Sequence, residues 1–154
     1  MIESILGWLT GAAPDGASAP KDELQLALAA LLVEVANSDD HFDEKDRAVV
    51  AQLLERRFKL SHADARTLLA AGECEAGHAV ELFHFTRIIN ERLSFEQRIE
   101  LVEMLWEVAY ADGVLDQYED SLLRRVGGLI YVPDRERGMA RRRVLGRLGL
   151  DATI

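Results

Sequence analysis

Met104-Leu-Trp-Glu107-Val-Ala-Tyr-Ala-Asp112-Gly-Val-Leu-Asp116-Gln-Tyr-Glu119 is the stretch on which the reading of this chain turns. Earlier in the chain stands Leu31-Leu-Val-Glu34-Val-Ala-Asn-Ser-Asp39-Asp-His-Phe-Asp43-Glu-Lys-Asp46. Glu, Asp, Asp and a final acid recur in the same order at the same spacing. Val35 and Ala36 recur as Val108 and Ala109. Four carboxylates held close together repel one another unless something positive sits among them. A unit built twice therefore points to a cation, an arginine partner or a shared structural need.

Working outward, each unit reads as the end of one helix, a short turn and the start of the next. Leu24, Leu28, Leu31, Leu32 and Val35 form an apolar stripe at helical spacing, and the helix should end near Ser38. Asp43 caps the following helix with Asp46 at its third position, a capping box. The buried face of that helix is Val49, Val50, Leu53, Leu54 and Phe58. Ser61-x-x-Asp64 opens a third helix. A connecting helix covers residues 77–92, with Leu82, Phe85, Ile88 and Ile89 inward. Ser94-Phe-Glu-Gln97 is another capping box, and the pattern then repeats. Leu101, Met104, Leu105 and Val108 form the stripe of one helix, and Leu122, Leu123, Val126 and Leu129 that of the next. Val132-Pro133-Asp134 breaks the chain and starts a basic helix, with Asp134 in the place of Ser61. No alternating β pattern of useful length occurs.

These signals predict an all-α single domain of seven to eight helices with an internal three-helix repeat, residues 24–69 and 97–142, about a pseudo-two-fold axis. The domain covers residues 21–148. Residues 1–10 carry Ile2, Ile5, Leu6 and Leu9 at helical spacing and read as a short amphipathic helix, and residues 11–20 as a Gly/Ala/Pro/Ser linker.

With 154 residues and 49% apolar content, the chain can bury a full core. Net charge is −9, which speaks against a nucleic-acid or anionic-membrane face on the main body. The charge is uneven: Arg135, Arg137, Arg141, Arg142, Arg143 and Arg147 make the last helix basic, and it reads as a solvated face that complements the acidic body. Cys74 is the only cysteine, so no intramolecular disulfide forms and a reducing, cytoplasmic setting is expected. It stands between Glu73 and Glu75, which disfavour the thiolate. Uncharged runs are too short to span a bilayer, and the N-terminus lacks the basic region of a secretory signal.

Read as chemistry, Glu34, Asp39, Asp43 and Asp46 gather where one helix ends and the next begins, and so do Glu107, Asp112, Asp116 and Glu119. The free carbonyls and negative dipole of the first helix end add oxygen ligands. An oxygen-rich site of this kind suits Ca²⁺ or Mg²⁺, and only His41 offers nitrogen, so zinc or copper is disfavoured. The spacing is not an EF-hand. The competing reading makes Asp43, Asp46, Asp116 and Glu119 helix caps, and pairs Glu34 and Glu107 with Arg47, Arg124 or Arg125. Gly113 favours a tight second turn, and Asp40 makes the first turn more acidic. His62, His78 and His84 form no metal pair. Trp8, Trp106, Tyr110 and Tyr118 read as packing residues. No phosphate loop, nucleophile elbow or Cys/His pair is present, so no catalytic residue is assigned.

Glu107-Val-Ala-x-Ala-Asp-Gly-x-Leu-Asp-x-x-Glu119, with its degenerate copy Glu34–Asp46, resembles the TerB-like tellurite-resistance family. The resemblance implies an all-α domain with internal pseudo-symmetry and a metal site lined by these acids. It also implies a stress-response or envelope-associated setting, since related domains stand beside the J-domain of a membrane-anchored co-chaperone. The chain departs from the family at Asp40-His41, where Gly is more usual. The expected function is thus a non-catalytic, divalent-cation-binding or acidic-surface module that docks a protein partner. The alternative is a metal-free interaction scaffold.

Overall fold

A computed structural model describes residues 18–37, 42–76, 79–111, 115 and 117–150. Among these residues there are seven helices and no strand: α1 (Ser18–Ala36), α2 (Glu44–Phe58), α3 (His62–Glu75), α4 (Ala79–Arg92), α5 (Phe95–Ala109), α6 (Gln117–Leu129) and α7 (Asp134–Leu148). The all-α expectation holds. The amphipathic helix at residues 1–10 lies outside the described residues, as do Asp39, Asp40, His41, His78, Asp112, Gly113, Val114 and Asp116.

Local chemistry sets the helix starts. Asp46 N–H donates to Asp43 Oδ1 at 2.9 Å and Asp43 N–H donates to Asp46 Oδ2 at 3.2 Å, which closes the first capping box. Ser94 and Gln97 close the second, at 3.2 and 2.8 Å. Asp64 N–H donates to Ser61 Oγ at 3.0 Å. Helix α1 begins three residues before the expected domain boundary at Lys21, and Pro20 sits in its first turn, where no intrahelical N–H bond is needed.

The core centres on α1, which packs against α2, α3, α4, α5 and α6. The sequence suggested a one-sided stripe, but every residue from Ala27 to Val33 is buried. The uncharged run Gln25–Val33 is the signal for this, since a helix that is apolar all round belongs inside. Helix α5 is similar, with Glu100 to Trp106 buried. Leu31, Leu32 and Val35 are as buried as Met104, Leu105 and Val108. In each segment the first helix packs most closely on the third, α1 on α3 and α5 on α7.

One corner departs from the sequence alignment of the repeats. Helix α3 has Ser61 as its N-cap, but α7 has Pro133, with no side-chain cap bond. Asp134 lies inside the first turn of α7 and accepts from Arg137 Nη1 at 2.5 Å instead. The second copy is one residue shorter here, so the correspondence slips by one. Both preceding helices end on a left-handed residue, Lys59 (φ 53°) and Tyr131 (φ 57°). The next N–H then reaches back, Leu60 to the Glu55 carbonyl at 3.2 Å and Val132 to the Gly127 carbonyl at 2.9 Å.

Helices α1 and α3 approach closely at Gly72. A Cβ there would lie 3.1 Å from the carbonyl carbon and from the Cβ of Ala29. Backbone cannot yield as a flexible side chain can, so Gly72→Ala is expected to destabilise by about 1–3 kcal/mol, despite alanine's better helix propensity. Gly128→Ala, where a Cβ meets nothing within 4 Å, should stabilise by about 0.5–1 kcal/mol. Urea unfolding of the two variants checks the pair, and equal effects would show that the α1–α3 crossing tolerates a methyl group.

Candidate functional site: a carboxylate–arginine cluster

Glu103 and Glu107 stand one turn apart on α5 and are nearly buried, with side chains 9% and 10% exposed. Glu107 occupies the last turn of α5, where the helix dipole is negative and a carboxylate is disfavoured. It needs a positive partner, and the fold supplies three. Arg57 Nη2 donates to Glu107 Oε1. Arg56 Nη2 donates to Oε2 at 3.2 Å and Arg147 Nη2 to Oε1 at 2.9 Å. Arg147 also donates through Nη1 to Glu103 Oε1 at 2.8 Å, and Arg143 Nε donates to Glu103 Oε2 at 2.9 Å.

Three elements build this cluster. Arg56 and Arg57 lie in the last turn of α2, where a cation is favoured by the helix end. Arg143 and Arg147 lie one turn apart on α7 and face the one-turn spacing of Glu103 and Glu107. Burial pulls the Arg147 guanidinium toward a lower pKa. The hydrogen bond from Glu103 and the charges of Glu107 and Glu103 outweigh it, so its pKa is raised. Among the described residues, four guanidinium groups meet two carboxylates in this cluster.

The arginine partners differ from those the sequence suggested. Arg47 Nε donates to Glu73 at 3.0 and 3.2 Å. Arg124 Nη2 donates to Asp120 at 3.3 Å. Arg125 stands over the Phe83 ring at 6.0 Å. Helical position decides this: Arg47 begins α2 and faces α3, whereas Arg56 and Arg57 at its other end face α5. Glu103 was not singled out from the sequence, and Arg143 and Arg147 were read only as part of the basic face of the last helix that complements the acidic body. Their signal was a charged pair at i, i+4 on the apolar helix α5 opposite a like-spaced basic pair.

The remaining expected site residues fall as follows. Asp43 and Asp46 form the capping box of α2. Glu34, one turn before the end of α1, and Glu119, in the first turn of α6, are half-buried. Asp39, Asp112 and Asp116 lie outside the described residues. Among the described residues, no three His, Cys, Asp or Glu side chains group in a way that could hold a metal ion.

Beside the cluster, α7 is fastened to α5 by aromatic contacts. Trp106 Nε1–H donates to the Arg137 carbonyl at 3.1 Å, and its ring stacks with Tyr110 at 5.8 Å. Arg141 Nε donates to Tyr110 Oη at 2.8 Å and lies over both rings. The packing roles expected for Trp106 and Tyr110 are therefore observed. Tyr118 is exposed, and His62 Nδ1 lies 2.9 Å from Glu55. None of the described helices is long and apolar enough to cross a membrane.

A family model described as "Tellurite resistance protein TerB" matches residues 25–142, from the third turn of α1 to the middle of α7. No curated protein matches the chain, and no solved structure does.

Proposed function

The chain belongs to the TerB tellurite-resistance family, and from that premise we propose that it is a non-catalytic protein-interaction module whose repeated acids cap helices and anchor arginines. The observation that carries this reading is the lodging of Glu107, an acid of the repeated unit, among Arg56, Arg57 and Arg147. The sequence supports the non-catalytic part, since it holds no phosphate loop, nucleophile elbow or Cys/His pair. The single cysteine supports a reducing, cytoplasmic setting, and the family's tellurite-resistance description supports a place in a stress-resistance complex. A protein partner is the ligand class this reading needs.

A second reading keeps Ca²⁺ or Mg²⁺ at the two turns, held by Asp39 and Asp43 and by Asp112 and Asp116. It is favoured by the recurrence of those acids beside helix ends, which capping alone explains only for Asp43 and its counterpart. One experiment separates the two. Chelator-treated protein is melted with and without Ca²⁺ or Mg²⁺. The scaffold reading expects no metal-dependent shift. A cation at 100 times its dissociation constant would instead stabilise the fold by about 2.7 kcal/mol. Loss of that gain in Asp112→Asn/Asp116→Asn, with the remainder lost in Asp39→Asn/Asp43→Asn, would establish the cation reading.

A further inference from the structure

Helices α4 and α6 lie side by side and advance in the same direction. Arg125 of α6 stands over the Phe83 ring of α4 at 6.0 Å, and further along both helices Asn90 Nδ2 donates to the Leu129 carbonyl at 2.9 Å. Phe83 is 54% exposed, although Leu82 and Phe85 beside it are buried in the core. Leu122 and Leu129 flank Arg125 at the spacing of one helix face, and both are half-buried. The outer edge of the two helices is thus an apolar strip of Phe83, Leu122 and Leu129. Arg125 and Arg87, one turn beyond Phe83, are exposed along it and form no ion pair among the described residues.

A shortage of acids does not explain these two arginines. The chain has 27 Asp and Glu against 18 Lys and Arg, and the adjacent Arg124 is paired with Asp120. Glu91, one turn beyond Arg87, lies further round α4 and pairs with neither arginine. An exposed arginine over an exposed aromatic ring, with aliphatic side chains beside it, has the composition of an interface centre. Two helices that run the same way leave a groove into which a third can pack, and an amphipathic helix fills such a groove with apolar side chains three and four residues apart. We propose that the α4–α6 strip docks an acidic amphipathic helix of a partner protein. Its apolar face covers Phe83, Leu122 and Leu129, and its carboxylates meet Arg87 and Arg125. This docking face rests on the protein-interaction reading and gives the partner its chemistry. The net charge of −9 opposes an anionic membrane as the occupant, and the same arginines brought face to face in a second copy would repel.

Selection of a phage-displayed library of random helical peptides on the full chain tests this. Enriched peptides are expected to carry an apolar stripe flanked by Asp and Glu. Their synthetic copies should bind in solution, as fluorescence anisotropy measures, and lose about tenfold in affinity on Phe83→Ala, as at an aromatic interface anchor. Arg87→Glu/Arg125→Glu should cost at least as much, and peptides with lysine in place of their acids should bind that variant better than the parent. Arg135→Glu/Arg142→Glu makes the same change in net charge on α7 and should leave affinity within about twofold. Circular dichroism confirms that each variant is folded, and the aromatic and arginine variants decide the question separately. Equal losses in the two arginine variants would overturn the proposal, because the attraction would then belong to the molecule as a whole. So would the absence of enriched peptides, or enriched peptides that are basic or indifferent to Phe83→Ala. A dimer lost on Phe83→Ala would name a second copy as the occupant, and Phe83-dependent co-sedimentation with phosphatidylglycerol vesicles would name a lipid surface; either result overturns the proposal. None of these failures touches the scaffold reading, which falls instead on a metal-dependent shift in melting.

Discussion

Trp106→Ala is expected to lower the unfolding free energy by about 3–5 kcal/mol, the range for a buried tryptophan truncated in a core. Trp106 is 2% exposed. Its loss would leave a cavity between α5 and α7 and remove the indole donor to the Arg137 carbonyl. It would also remove the ring on which Tyr110 stacks and over which Arg141 lies. Trp106→Phe should cost less, about 1–3 kcal/mol, because most of the volume stays and one carbonyl loses its donor. Urea unfolding followed by circular dichroism measures both. A loss below about 1 kcal/mol for the alanine variant would mean that α7 is not held through this residue.

Glu107→Ala is the second large effect, at about 3 kcal/mol. Breaking a buried ion pair by removing one partner costs about 3–5 kcal/mol. The lower end applies because Arg56 is 69% exposed and rehydrates at little cost, while Arg57, at 15%, is left with an uncompensated charge. Glu107→Gln keeps the side-chain volume, so its loss isolates the charge. The sign is diagnostic. If the acids of the unit repelled one another in the absence of metal, neutralising Glu107 would stabilise the protein. In an arginine cluster the same change weakens it. Arg57→Ala should give a smaller loss than Glu107→Ala, since Arg56 and Arg147 remain on the carboxylate. A Glu107→Gln protein that melts higher than the parent would contradict the arrangement described above.

Much of the fold could be read from the chain because helix chemistry is local. Asp43, Ser61 and Ser94 cap the helices they were expected to cap, since a capping oxygen needs only an N–H three residues away. The apolar stripes of α2, α4 and α5 marked their buried faces for the same reason. What could not be read depends on distance along the chain. Nothing local to Glu107 says that the arginines meeting it come from α2 and α7. Nor does the stripe of α1 say that its other faces will be covered by α4, α5 and α6. The slip at Pro133 was hidden because Asp134 is itself a good capping residue, and only the length of α6 and the left-handed Tyr131 move it inside the helix.

The enclosure of α1 also bears on how the molecule comes apart. A repeated sequence suggests two halves that could open or fold one at a time. Here the first helix of the early half is also the centre against which α4, α5 and α6 assemble. Neither half can finish its interior without the other, because a free early half would leave much of α1 in water. Amide protons in the buried stretch Ala27–Val33 of α1 are expected to exchange only when the whole structure opens, which hydrogen exchange would measure. The two similar stretches of sequence share one core, and the boundary between them is not a line along which the described helices divide.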